Sequence, residues 1–229
     1  MSNLARITAF RNLPPEALLR LERGGTTLEP RSGAQLFAQG DLADSVYAVI
    51  GGAGFVRVGS ADRDSKALMV EMMRDGDMFG EIAVLDGGNR TAEAVTEGQV
   101  RLMRISAPTF RAVLEDTPSL GVELCRMMAV RLRRTFALYQ DATFETVEAR
   151  LARQVFYLAG VHGHRSEAGL RLGGQFRQSD LADLLGTTPR SIITILNKWR
   201  SERTVEYDAK RGQLTICDET RFPSAVASR

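Results

Sequence analysis

Histidine and cysteine are nearly absent: the 229 residues hold two of each. Cys125 and Cys217 lie far apart, so they form neither a metal-spacing pair nor a disulfide framework. His162 and His164 sit together in a segment, Gly160–Gly169, that reads as a solvated loop. With both histidines in one place, no Ser/His/Asp or Cys/His set can be assembled, and the expectation is a protein that is not an enzyme and holds no metal. No apolar run approaches the ~18 residues of a membrane span. Met1-Ser2-Asn3-Leu4-Ala5-Arg6 lacks the apolar core of a signal peptide. A cytoplasmic protein without membrane association is the expectation. From about Ser119 to Val147 proline is missing, and glycine does not recur after Gly121.

What is present is ordinary for a globular protein, with 44% apolar and 25% charged residues. The net charge of +2 is unevenly placed. Residues 1–146 carry 17 basic against 19 acidic side chains, and residues 147–229 carry 13 against 9. A basic C-terminal part is a weak footprint of nucleic-acid contact.

The first part reads as short strands near Ser45–Ile50, Gly54–Val58, Lys66–Met72 and Val100–Ile105. Turn pairs such as Gly40-Asp41, Gly51-Gly52, Gly76-Asp77 and Gly87-Gly88 punctuate them. Closely spaced strands of this kind predict a sandwich or barrel. The glycine-poor stretch that follows predicts a helix over roughly 119–147. Leu124, Met128, Leu132, Thr135, Tyr139 and Ala142 recur there at spacings of 4, 4, 3, 4 and 3, a coiled-coil-like stripe. A helix of about 27 residues reaches ~40 Å, more than a small domain covers, which favours pairing with a second copy.

Within the strand region, Phe79-Gly80-Glu81-Ile82-Ala83-Val84-Leu85 is followed five residues later by Arg90-Thr91-Ala92. Gly80 allows backbone amides to approach an anion closely. Arg90 offers a donor fork that matches a phosphate, and Thr91 adds a hydroxyl. Glu81, when ionised, only accepts hydrogen bonds, which suits a sugar hydroxyl. The stretch resembles the phosphate-binding cassette of cyclic-nucleotide-binding domains. Ser32–Asp41 and the following Val-Tyr-Ala-Val-Ile-Gly-Gly run extend the resemblance over most of residues 10–110.

Further along, Gln178 to Leu196 reads as helix, turn, helix. Gln178 or Ser179 precedes the first helix, Gly186 breaks it, Thr188 caps the second and Pro189 opens it. Ile192, Ile195, Leu196 and Trp199 form an inner face, with Arg190, Ser191, Thr194, Asn197 and Lys198 outward. A helix over 146–160 precedes the motif. A hairpin, Val205–Asp208 with Gln213–Cys217, follows it, carrying Lys210-Arg211-Gly212 at its tip.

Together these motifs resemble the catabolite activator/fumarate-nitrate regulator superfamily. The resemblance implies an α+β fold with an N-terminal β-roll (jelly-roll) sensor over 1–115, a dimerisation helix over 116–146 and a winged helix-turn-helix over 147–229. It implies an effector, cyclic AMP or cyclic GMP, held by Gly80, Glu81, Ile82, Ala83, Arg90, Thr91 and Thr135, and no resident cofactor. Thr135 falls where cyclic-AMP-binding members place a threonine near the adenine, with Phe136 in place of the usual serine. It further implies a homodimer on palindromic double-stranded DNA, with RNA polymerase as a possible partner. Gln178, Ser179, Thr188, Arg190, Ser191, Thr194, Lys198, Lys210 and Arg211 are the DNA-contact candidates. The base-reading positions fall on Pro189, Arg190 and Thr194, where the catabolite activator has Arg, Glu and Arg. Haem- and iron–sulfur-sensing members use a β-roll histidine or N-terminal cysteines, and neither occurs here. Two readings stay open: the β-roll binds a cyclic nucleotide, or it is a scaffold that is constitutive or senses something else.

Overall fold

Strand Ser45–Gly51 is buried along its whole length, and its two faces serve two different cores. Val46, Ala48 and Ile50 pack toward helices and join Phe10, Leu21, Phe110, Val113, Leu120 and Leu124. Tyr47 and Val49 point the other way, to Val56, Phe79, Ala94, Val100 and Leu102. The period-2 alternation of a strand imposes this split.

In the computed structural model, residues 3–61, 67–173, 176–220 and 222 are described. The chain divides into two units, residues 1–60 with 70–134, and residues 61–69 with 135–229. The first opens with 3-10 turns at Asn3–Arg6 and Thr8–Phe10 and helix α1 (Pro15–Arg23). Strands β1 (Gly25–Leu28), β2 (Gln35–Phe37), β3 (Ser45–Gly51), β4 (Phe55–Ala61), β5 (Ala67–Met73) and β6 (Met78–Phe79) follow. After helix α2 (Glu81–Asp86) come β7 (Glu93–Glu97), β8 (Arg101–Ser106) and helix α3 (Ala107–Asp116). The strands form two four-stranded sheets, ordered β1-β8-β3-β6 and β2-β7-β4-β5, which is the expected β-roll. The four strands read from the sequence are β3, β4, β5 and β8; Lys66, the expected start of β5, lies outside the described residues.

Helix α4 spans Pro118–Phe144, 27 residues. It stops three residues before the expected end because Thr146 caps the next helix, its hydroxyl accepting from the Ala149 amide. The expected stripe is also shifted. Leu124 is 4% exposed and belongs to the β-roll core, and Met128 is half-buried. Leu132, Phe136 and Tyr139 are uncovered at 56%, 62% and 73% exposure.

The second unit contains α5 (Val147–His162), β9 (His164–Ser166), β10 (Gly169–Arg171), α6 (Gln178–Leu185), α7 (Pro189–Ser201), β11 (Val205–Asp208) and β12 (Gln213–Ile216). The expected hairpin is β11 and β12, in register from Val205↔Ile216 to Asp208↔Gln213. It is half of a larger sheet, β11-β12-β10-β9. The Gly160–Gly169 segment is therefore not a loop: His162 ends α5, and His164 is an exposed residue of β9. Trp199, Leu196 and Ile192 are buried with Leu181, Val205 and Ile216.

Candidate functional site

The connection from β6 to α2 depends on one glycine. Gly80 has φ +77, and a Cβ there would lie 2.8 Å from Arg90 Nη1. Any other side chain would strain the backbone and displace the guanidinium. α2 then starts with Glu81, and Gly87 ends it in the left-handed region.

Arg90 is 3% exposed. Its Nη1 donates to Gly80 O at 2.6 Å and its Nη2 to Ser45 O at 2.7 Å. The guanidinium carbon stands 4.2 Å from the Phe37 ring centre, and Asp44 Oδ1 lies 3.7 Å from Nη2. Burial pulls the Arg90 pKa below its ordinary value. The fork expected to face a phosphate thus already holds two main-chain carbonyls, while Nε is buried without a partner among the described residues.

Glu81 is 1% exposed. Its Oε1 accepts from Arg131 Nη1 at 2.5 Å, and Arg131 Nη2 also donates to Met78 O at 2.6 Å. The second carboxylate oxygen, Oε2, is buried and has no partner among the described residues. Burial raises the Glu81 pKa, opposed by the Arg131 charge. Glu71 joins the cluster, 3.5 Å from Arg131 and 3.2 Å from Arg134. The sequence pattern does not connect Glu71 with Arg131 and Arg134. Their i, i+3 spacing puts them on one helix face, but nothing local signals a partner some 60 positions away.

Ala83 is buried, whereas Ile82 and Thr91 are exposed on the same segment. Thr135 is an exposed residue of α4. The structure therefore brings Gly80, Glu81, Ala83 and Arg90 into one packed unit and leaves Ile82 and Thr91 on its surface.

The helix-turn-helix is built as read, with one change. Gly186 ends α6 in the left-handed region, and Thr188 caps α7, accepting from the Ser191 amide at 3.3 Å. At the start of α6, neither Gln178 nor Ser179 precedes the helix: Gln178 is its first residue, and Asp180 Oδ2 accepts from the Arg177 amide at 2.7 Å. Arg190 is exposed, and no partner for its guanidinium exists among the described residues. Ser191 shares a hydrogen bond with Thr188 Oγ1 at 3.0 Å, and Thr194 donates to Arg190 O at 3.0 Å. Lys198 holds both oxygens of Glu148, at 2.8 and 2.9 Å. Trp199 Nε1 donates to the same carboxylate at 2.9 Å. These contacts, Lys198 first, hold Glu148 below the usual carboxylate range. Lys210 and Arg211 are exposed between β11 and β12, where Asp208 Oδ1 accepts from both of their amides, at 2.9 and 3.1 Å. Among the described residues no His/Cys/Asp/Glu group has metal-binding geometry. No described helix is long and apolar enough to cross a membrane.

Two family models match this chain: the cyclic nucleotide-binding domain over residues 28–117 and the Crp-like helix-turn-helix domain over residues 149–222. The chain is 31% identical over 219 residues, 96% of each chain, to a CRP-like cAMP-activated global transcriptional regulator of Mycobacterium tuberculosis. It is 28% identical to a cyclic AMP receptor protein of Thermus thermophilus, over 86% of this chain and 87% of that one. The structure of FixK2 from Bradyrhizobium japonicum superposes with a TM-score of 0.78 at 18% identity, covering 90% of this chain and 98% of that one.

Proposed function

From the premise that this chain belongs to the CRP/FNR family of DNA-binding transcriptional regulators, we propose that its β-roll takes a cyclic nucleotide, cyclic AMP or cyclic GMP, as effector. One observation carries the reading. Two buried atoms of opposite hydrogen-bonding sense lack partners in a single cassette, the Arg90 Nε donor and the Glu81 Oε2 acceptor. Buried polar atoms without partners are costly. A ligand that combines an anionic phosphate with a sugar hydroxyl supplies an acceptor to the first and a donor to the second.

In this reading residues 1–115 form the sensor, 116–146 the dimerisation helix and 147–229 the DNA-binding part. Leu132, Phe136 and Tyr139, uncovered and spaced by 4 and 3, form the seam with a second copy. The dimer places two copies of α7 on a palindromic operator, with half-sites ~34 Å apart. Contact with RNA polymerase would follow from binding beside a promoter. Calorimetric titration with cyclic AMP and cyclic GMP tests the effector reading. Saturable binding of one, lost in Arg90→Ala, is expected; no heat from either nucleotide leaves the β-roll as a scaffold.

A further inference from the structure

The outer face of α7 offers less hydrogen bonding than its sequence advertises. Arg190, Ile193, Thr194 and Asn197 stand at i, i+3, i+4 and i+7, one helix face, and all four are exposed. On the opposite face Ile192, Leu196 and Trp199 are buried. The Thr194 hydroxyl hydrogen is committed to Arg190 O, Ser191 and Thr188 bond to each other, and Lys198 is held by Glu148. Beside Arg190 and Asn197 the face carries the branched side chain of Ile193, 38% exposed, and Thr194, which has a methyl group and whose hydroxyl has no hydrogen left to donate to a base.

Resting on the DNA-binding reading above, we propose that Ile193 and Thr194 read thymine through its 5-methyl group. In the major groove that methyl is the one apolar feature a base edge presents. Beside Arg190, whose fork suits guanine O6 and N7, the pair specifies a half-site in which guanine adjoins thymine. Thr194 then acts by its methyl and not by its hydroxyl.

Operators are first selected from a random duplex pool by the wild-type protein, with and without each cyclic nucleotide. A pool that never enriches a palindrome overturns the DNA-binding reading and this inference with it. On the selected operator, each thymine is replaced singly by uracil, which removes only the methyl group. At one or two thymines per half-site, uracil is expected to weaken wild-type binding about four-fold, equivalent to ~0.8 kcal/mol. Ile193→Ala should lose most of the preference for the thymine over the uracil duplex. Thr194→Val should keep the wild-type preference, and Thr194→Ser should lose part of it. An enriched operator at which every uracil binds within two-fold of thymine overturns the inference. So does a uracil penalty that persists unchanged in both Ile193→Ala and Thr194→Ser.

Discussion

Replacing Arg90 by alanine should destabilise the ligand-free protein as well as remove an effector contact. In the structure Arg90 is a cross-link: Nη1 to Gly80 O, Nη2 to Ser45 O, and the guanidinium over Phe37. Truncation takes the guanidinium donor away from both carbonyls, and Ser45 is completely buried. A buried group left unsatisfied costs about 1–3 kcal/mol. Relief of the guanidinium's own burial, which depresses its pKa, offsets part of that. A net loss of about 2–4 kcal/mol remains, and for a chain of this size each kcal/mol lowers the Tm by about 2–4 °C. Calorimetry or urea unfolding without nucleotide should therefore place Arg90→Ala roughly 5–15 °C below wild type. Arg101→Ala removes the same charge from an exposed strand end and should stay within about 0.5 kcal/mol. Saturating nucleotide should raise the wild-type midpoint by mass action and leave that of Arg90→Ala unmoved. Equal midpoints for Arg90→Ala and Arg101→Ala without ligand would refute the cross-link. Nucleotide protection of Arg90→Ala equal to that of wild type would refute the phosphate role.

Leu132→Asp puts a carboxylate into the proposed apolar seam, and light scattering should show monomer; an intact dimer would locate the seam elsewhere. Arg190→Ala should flatten preference at one symmetric base pair by about 1–3 kcal/mol, read by operator selection. Lys210→Ala should weaken all sequences alike and make the salt dependence shallower, because a phosphate contact positions without reading sequence. The Glu148 carboxyl lies below its ordinary value of 4.5, so the stability it contributes is present above that pH and lost as pH falls through the lowered value. Glu148→Gln should therefore give a flatter curve of urea midpoint against pH on the acid side of 4.5. Parallel curves for the two proteins would deny Glu148 that role.

Periodicity and motif spacing yielded a strand-rich first part, a long helix and a helix-turn-helix with its hairpin; the β-roll followed from the family resemblance. β3, β4, β5 and β8, the 27-residue α4, the helix-turn-helix and its hairpin all follow from local patterns of apolar residues, glycine and caps. These signals are local, so one chain displays them without a fold to refer to. The cassette, too, was visible as Gly80-Glu81 and Arg90-Thr91, because a ligand site made from one short connection keeps its residues close in sequence. Tertiary structure decided which internal partners those side chains take. Arg90 turned onto Gly80 O and Ser45 O, and Glu81 onto Arg131, because burial makes an unpaired charge more costly than an internal bond. It also decided which apolar residues of α4 are left uncovered. Leu124 lies on the helix side that the β-roll core covers, and Leu132, Phe136 and Tyr139 do not. A helical repeat gives the period of a stripe; the phase depends on what packs against it, and that comes from residues more than a hundred positions away, such as Phe10 and Leu21. The sheet partners β9 and β10 were hidden for the same reason. Three-residue strands carry too little pattern of their own, and they become strands by pairing with one another and, through β10, with β12.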